Sequence, residues 1–293
     1  MLEKLATESR NPDTYNLDEL NTLEIIELMN RQDLMVIESV KNELPAIEKV
    51  IEAVIASLKQ GGRLIYVGAG TSGRIGMLDA VECPPTFGMD PSRVVGVLAG
   101  GENQMFAKEE AEDNYDLGYK RMEELGVNEN DIVIGLAASG RTPYVIGALD
   151  YANEHKAKSA SIACNKNAKI SSHAQLIIEL NNGPEILTGS TRLKAGTSQK
   201  MVCNMISTAA MIRMGKVYEN LMVDVDVSNE KLYERWLNIV MTATNKTREE
   251  CIAVYEPSAH QAKVAIVMLK KGLSADEAKA QLVANDGFVK KVL

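Results

Sequence analysis

The chain has 293 residues, of which 45% are apolar, 25% charged and 4% aromatic, and it carries a net charge of −8. That is the balance of an ordinary globular protein with a real core, long enough for one large domain or one domain and a smaller one. So few aromatics exclude a nucleic-acid stacking platform, and the acidic balance draws in neither DNA nor an anionic membrane; an anionic ligand must be held by local donors.

Cys83, Cys164, Cys203 and Cys251 lie far apart with no Cys-x-x-Cys pair. The spacing fits neither a zinc site nor a disulfide framework and suits a reducing compartment. The first ten residues carry charges before any apolar run, without a signal-peptide core. No apolar stretch approaches the ~20 residues of a membrane span. The expectation is a cytoplasmic protein with no membrane and no nucleic-acid partner.

In chain order, Asn16-Leu-Asp-Glu19 reads as a capping box opening a helix to about residue 29, with Leu20, Leu23, Ile26 and Leu28 inward. A second helical pattern covers residues 35–58, kinked or split by Pro45 and ended by Gly61-Gly62. The period then changes. Arg63-Leu-Ile-Tyr-Val67 predicts a buried strand running into Gly68-Ala-Gly-Thr-Ser-Gly-Arg74 and a brief helix. Residues 94–98 predict a second strand, followed by an acidic helix over 105–125. A third strand, 131–137, ends in Ser139-Gly-Arg-Thr-Pro143 and a helix. Residues 159–164 and 175–180 predict two more strands. Strands alternating with helices imply an α/β fold with a doubly wound, mostly parallel sheet. Beyond Gly196 the pattern is helical: 197–214, 229–244, 247–255, 257–271 and 274–284, with capping boxes at Thr247/Glu250 and Ser274/Glu277. The chain divides on this reading into N-terminal helices (1–50), a sheet domain (51–226) and a helical C-terminal part (227–293).

Ser72-Gly73-Arg74 and Ser139-Gly140-Arg141-Thr142 each stand where a strand hands over to a helix, at the carboxyl end of the sheet. Such a junction offers unpaired N–H groups, a positive dipole end, a small hydroxyl and a glycine that lets the backbone come close. One such loop is ordinary turn chemistry; two at matching places form a cradle for a phosphate monoester. Gly68-x-Gly70-x-x-Gly73 also matches the dinucleotide fingerprint. Against a nicotinamide, the acid that would hold the ribose, Glu102, falls about 30 residues past the loop instead of about 20. The intruding Glu82-Cys-Pro-Pro-Thr-Phe-Gly88 and the second serine loop also have no use in a nucleotide site.

A third run, Gly183-Pro-Glu-Ile-Leu-Thr-Gly-Ser-Thr-Arg-Leu-Lys-Ala-Gly-Thr-Ser-Gln-Lys200, packs hydroxyls, glycines and cations ahead of a long helix. Ser190, Thr191, Arg192 and Lys194 are its candidate anion partners, and Lys200, inside the helix, reads as structural. Nearly position for position the run resembles the signature shared by bacterial N-acetylmuramic acid 6-phosphate etherases and the glucokinase regulatory protein. The etherase branch is matched further by Thr7-Glu-Ser-Arg-Asn-Pro12, Asp79-Ala-Val-Glu-Cys-Pro-Pro-Thr86, Ala111-Glu-Asp-Asn114 and Ser139-Gly-Arg-Thr-Pro143. One departure is visible: Glu110-Ala-Glu-Asp113 is one residue shorter than the usual Glu-Gly-Ala-Glu-Asp. The resemblance implies a sugar isomerase (SIS) domain, a homodimer, no metal and no organic cofactor. It also implies cleavage of the lactyl ether of a muramic acid 6-phosphate within peptidoglycan recycling.

That ether sits on C3, β to the aldehyde of the open-chain sugar, which acidifies the C2 proton. Elimination followed by hydration needs one carboxylate as base and one carboxylic acid as proton donor. The resemblance assigns these to Glu82 and Glu112. Glu82 takes the acid's part because Pro84 and Pro85 beside it offer no backbone N–H to hold a carboxylate; Glu112 is the base. His155, His173 and His260 have no motif around them. The rival readings are a non-catalytic sugar-phosphate sensor, which needs neither acid, and a sugar-phosphate isomerase.

Overall fold

The computed structural model describes residues 5–101, 109–227 and 229–293. Residues Met105 to Lys108 of the expected acidic helix, and Glu102, lie outside the described residues. The chain divides into two units, the first made of residues up to Val81 with Ser92–Ser207, the second of Glu82–Pro91 with Thr208–Leu293. The N-terminal helices thus belong with the sheet. The second unit takes residues 82–91 and the chain from residue 208 onward.

In the first unit, 3₁₀ turns at Ala6–Glu8, Pro12–Thr14 and Leu17–Glu19 precede helix α1 (Thr22–Asn42), which runs to α2 (Leu44–Lys59) across Glu43. Asn16 makes no side-chain cap, and residues 17–19 form one 3₁₀ turn. The capping box is built five residues later, Asn21 Oδ1 accepting from Glu24 N–H at 3.1 Å while Glu24 accepts from Asn21 N–H at 2.8 Å. Asn21 wins because its backbone is extended (φ −74°, ψ 168°), the conformation a cap residue needs. Of the four side chains expected inward Leu28 is buried, whereas Leu23 and Ile26 are 59% and 53% exposed. Pro45 occupies the first turn of α2, where its missing N–H costs nothing.

Strands β1 (Leu64–Gly68), β2 (Val94–Leu98), β3 (Ile132–Ala137), β4 (Lys158–Ala163) and β5 (Leu176–Glu179) form one parallel sheet in the order β2-β1-β3-β4-β5. Every residue of β1 and β3 is buried, as near-continuous apolar runs in a covered parallel sheet require. Helix α3 (Gly70–Phe87) leaves β1 and continues through Pro84 and Pro85, so Glu82 lies on a helix and not in a loop. The acidic segment is broken: α4 (Glu109–Glu112) is one turn, and Asn114 caps a separate α5 (Tyr115–Glu124) through Leu117 N–H at 3.0 Å. Helix α6 (Pro143–Glu154) follows β3, and α7 (Lys194–Arg213) follows β5. Buried Asp79 on α3 accepts from Asn204 at 2.7 Å and Ser207 at 3.0 Å on α7, stapling the two helices; burial pushes its carboxyl up.

In the second unit, α8 (Glu230–Thr244), α9 (Arg248–Ala253), α10 (Ala262–Lys271), α11 (Ala275–Ala284) and α12 (Val289–Val292) enclose a core around fully buried Trp236. Both expected capping boxes form, at Thr247/Glu250 and Ser274/Glu277. Helix α10 starts at Ala262, later than expected, because Ala259 and His260 take positive φ (52° and 64°), which no helix tolerates. Among the described residues no helix is long and apolar enough to cross a membrane.

Candidate functional site

The sheet order sets which loops lie side by side. From β1 the chain crosses to β2 on one side and then to β3 on the other. The loops after β1 and β3 therefore flank the point where the winding reverses, the crevice at which open α/β sheets bind ligands. Gly68 of β1 pairs in register with Leu136 of β3, so these two loops are neighbours.

In the first loop the backbone is packed so tightly that a Cβ on Gly73 would fall 2.5 Å from Gly68 O. The glycine pattern is thus explained by the turn itself. Ser72 is buried and donates its hydroxyl to Gln199 Oε1 at 2.7 Å. Arg74 is half-buried. In the second loop Gly140 has φ +72°, and a Cβ there would meet Ala168 Cβ at 2.5 Å. Conformation and space both demand glycine. Ser139 and Arg141 are half-buried, and among the described residues neither side chain makes a hydrogen bond or ion pair. Thr142, 5% exposed, is the N-cap of α6 but makes no side-chain cap; its Oγ1 lies 3.1 Å from Glu112 Oε1. Two residues expected at the site, one on α4 and one in the second serine loop, are thereby brought together.

The third run is engaged differently from expectation. The amides at the start of α7 are taken by Glu185, a buried carboxylate that accepts from Lys194 N–H at 3.0 Å and Ala195 N–H at 2.9 Å. This cap starts the helix three residues earlier than the sequence pattern indicates, and it fills the helix entrance with the protein's own anion. Lys194 is 1% exposed and its ammonium bonds Gln32 Oε1 at 3.0 Å, turned toward α1. Burial pulls its pKa down, against Glu185, Asp33 and Asp13, which hold it up; burial likewise pushes Glu185 up. Ser190 and Thr191 are half-buried and Arg192 is exposed, and their side chains make no hydrogen bond or ion pair among the described residues. The run meets the first loop through Ser72–Gln199 and at Gly196, whose Cβ position lies 3.6 Å from Thr71 Cγ2.

Glu82 is exposed on α3, in the part of that helix belonging to the second unit, and its carboxylate makes no hydrogen bond among the described residues. The histidines stand elsewhere. His155 stacks on Tyr151 (centroids 3.9 Å apart) and His173 meets Asp150 at 2.7 Å, both ahead of the strands' amino ends, while His260 meets Glu256 at 3.2 Å in the second unit. Among the described residues no three His, Cys, Asp or Glu side chains are placed to hold a metal. The sequence reading missed Gln199, Glu185 and Asn165. For Asn165 a signal existed, since it follows β4 at the same edge of the sheet as the serine loops. Nothing about a lone Gln inside a helix marks Gln199.

Residues 46–153 match the glucokinase regulatory protein N-terminal SIS domain, 110–209 the SIS domain, and 219–264 the C-terminal lid domain of glucokinase regulatory protein. Over its whole length the chain is 55% identical to the N-acetylmuramic acid 6-phosphate etherase of Geobacillus sp. (strain WCH70), covering all of both chains. It is 53% identical, with the same coverage, to that of Geobacillus thermodenitrificans. Among solved structures, a phosphoheptose isomerase from Neisseria gonorrhoeae aligns with a TM-score of 0.51 at 14% identity, over 65% of this chain and 98% of that one. A protein of E. coli, solved with a bound ligand, aligns with a TM-score of 0.50 at 16% identity, over 69% and 97%. These two likenesses are of fold.

Proposed function

The chain belongs to the family of N-acetylmuramic acid 6-phosphate etherases, and from that premise we propose that it releases D-lactate from N-acetylmuramic acid 6-phosphate and leaves N-acetylglucosamine 6-phosphate. It then acts as a carbon–oxygen lyase of cytoplasmic amino-sugar recycling. The observation that carries this reading is the 55% identity over the full length of both chains. A likeness confined to the sheet domain would have served a sensor or an isomerase equally well.

In this reading the phosphoryl group is received at the switch point. Its donors are the backbone N–H groups of Ser72 and Ser139, the hydroxyls of Ser139, Ser190 and Thr191, and the guanidinium groups of Arg74, Arg141 and Arg192; Gly73 and Gly140, whose own N–H groups are spent on Ala69 O and Ala137 O, let the backbone come close. Ser72 presents its oxygen at a place fixed by Gln199. Lys194 leaves the anion set, because its ammonium is committed to Gln32. Thr142 serves Glu112: a hydroxyl that donates to one carboxylate oxygen leaves the other to take a proton. With the sugar open, Glu112 removes the C2 proton, and the electron pair expels the lactyl oxygen from C3. Glu82 supplies the proton that this oxygen takes up. Water then adds to C3 of the unsaturated aldehyde and a proton returns to C2. The working form is a homodimer. Supporting it is a row of exposed apolar side chains along α1, Leu23, Ile26, Leu34 and Ile37, spaced to share one face.

The purified chain incubated with N-acetylmuramic acid 6-phosphate, with neither metal nor nicotinamide added, is expected to release D-lactate in an enzyme-coupled assay. Substrate recovered unchanged after long incubation discards the proposal.

A further inference from the structure

The segment Thr7-Glu-Ser-Arg-Asn-Pro12 takes no part in the chemistry above, yet its buried side chains bond to three distant parts of the first unit. At one end Thr7 is 2% exposed and faces Asn165, itself 3% exposed. Asn165 accepts from Thr7 N–H at 3.4 Å and donates its amide to Thr7 Oγ1 at 3.0 Å and to the carbonyls of Ala138 and Ser139, both at 3.3 Å. One buried amide thus joins the N-terminal segment to the backbone of the second serine loop.

At the other end Asn11, also buried, donates to Pro184 O at 3.3 Å and to Gln32 Oε1 at 3.0 Å. Gln32 donates onward to Asp13 at 3.0 Å, and its oxygen receives the Lys194 ammonium. Lys194 and its neighbour are the residues whose amides Glu185 caps. Between the two ends Glu8 approaches the third run, its Oε2 lying 3.5 Å from the Cβ position of Gly189. A single short stretch therefore grips the backs of two loops that lie far apart in the sequence. Buried polar networks that are fully bonded hold one geometry, because each broken link leaves a desolvated group unpaired.

We propose that residues 7–13 form a brace that sets the distance between the Ser139 loop and the Ser190 run, with Thr7, Asn165 and Asn11 as positioning residues for phosphate capture. The proposal deepens the reading of those loops as the phosphate site and rests on it. It also gives Lys194 a part: its charge ties the third run to the brace and does not touch substrate.

Thr7→Val keeps the shape and removes the oxygen that Asn165 donates to; Thr7→Ser keeps the oxygen. The measurements are KM and kcat for N-acetylmuramic acid 6-phosphate, competitive inhibition by inorganic phosphate, and the thermal midpoint. For Thr7→Val the brace predicts KM and the phosphate inhibition constant raised about tenfold with kcat changed less, and Thr7→Ser close to wild type. Should Thr7→Val fail to fold, Asn11→Ala at the far end carries the same expectation for KM. A lowered midpoint with KM and phosphate inhibition unchanged, or Thr7→Ser as impaired as Thr7→Val, overturns the brace while leaving the loops as the site. Wild-type protein that neither turns over the sugar phosphate nor binds phosphate overturns both.

Discussion

Glu185 is the residue on which the third run turns. Its carboxylate is nearly inaccessible and meets two backbone amides, and the buried ammonium of Lys194 lies near enough to act on it electrically. Removing one member of such a group strands the other without water, which costs about 3–5 kcal/mol. Glu185→Ala is therefore expected to lower unfolding free energy by about that much in urea titration, and Glu185→Gln by less, since an amide oxygen still accepts one N–H. A loss under about 1 kcal/mol would mean the cap is not held as described. At this scale the hydroxyls and glycines of the loops were legible in the sequence, because strand-to-helix junctions restrict which residues fit. Their partners were not. Gln199 reaches Ser72 across 127 positions and Asn165 reaches Thr7 across 158, and no local pattern announces such pairs.

Among the elements, α1 shows how an apolar count misleads. Its buried positions are Leu28, Gln32, Val36, Ser39 and Val40, so the inward face includes a glutamine and a serine. Leu23, Ile26, Leu34 and Ile37 face outward, Leu34 being 68% exposed. The frame is set by Gln32, which bonds Asn11, Asp13 and Lys194, and a polar residue recruited into a buried network turns the helix away from its most apolar face. That face is where the second copy is placed by the dimer proposal. Leu34→Asp should leave circular dichroism unchanged and raise the dimer dissociation constant about a hundredfold or more, since the change is felt in both copies. Light scattering that gives wild type and variant the same mass contradicts this. The strands, by contrast, were read to within a residue. Continuous apolar runs between glycines have few alternatives, whereas cap placement depends on which of two similar Asn-x-x-Glu boxes finds the extended backbone.

For the whole molecule, the class of sheet followed from alternating strands and helices, while its order did not, since the pattern of elements does not say on which side each crossover lands. The order is what makes the account work, because it sets the two serine loops side by side. The division into units was harder to read: residues 82–91 group with the C-terminal helices although helix α3 joins them unbroken to the first unit. In the proposed reaction a phosphate-gripped sugar loses its lactyl group by breaking the bond between C3 and oxygen. Turnover in water enriched in heavy oxygen, with both products weighed by mass spectrometry, tests that cleavage directly. Heavy oxygen in the amino sugar phosphate and none in the lactate is the predicted result. Label in the lactate hydroxyl would place the broken bond on the other side of the ether oxygen and contradict the account.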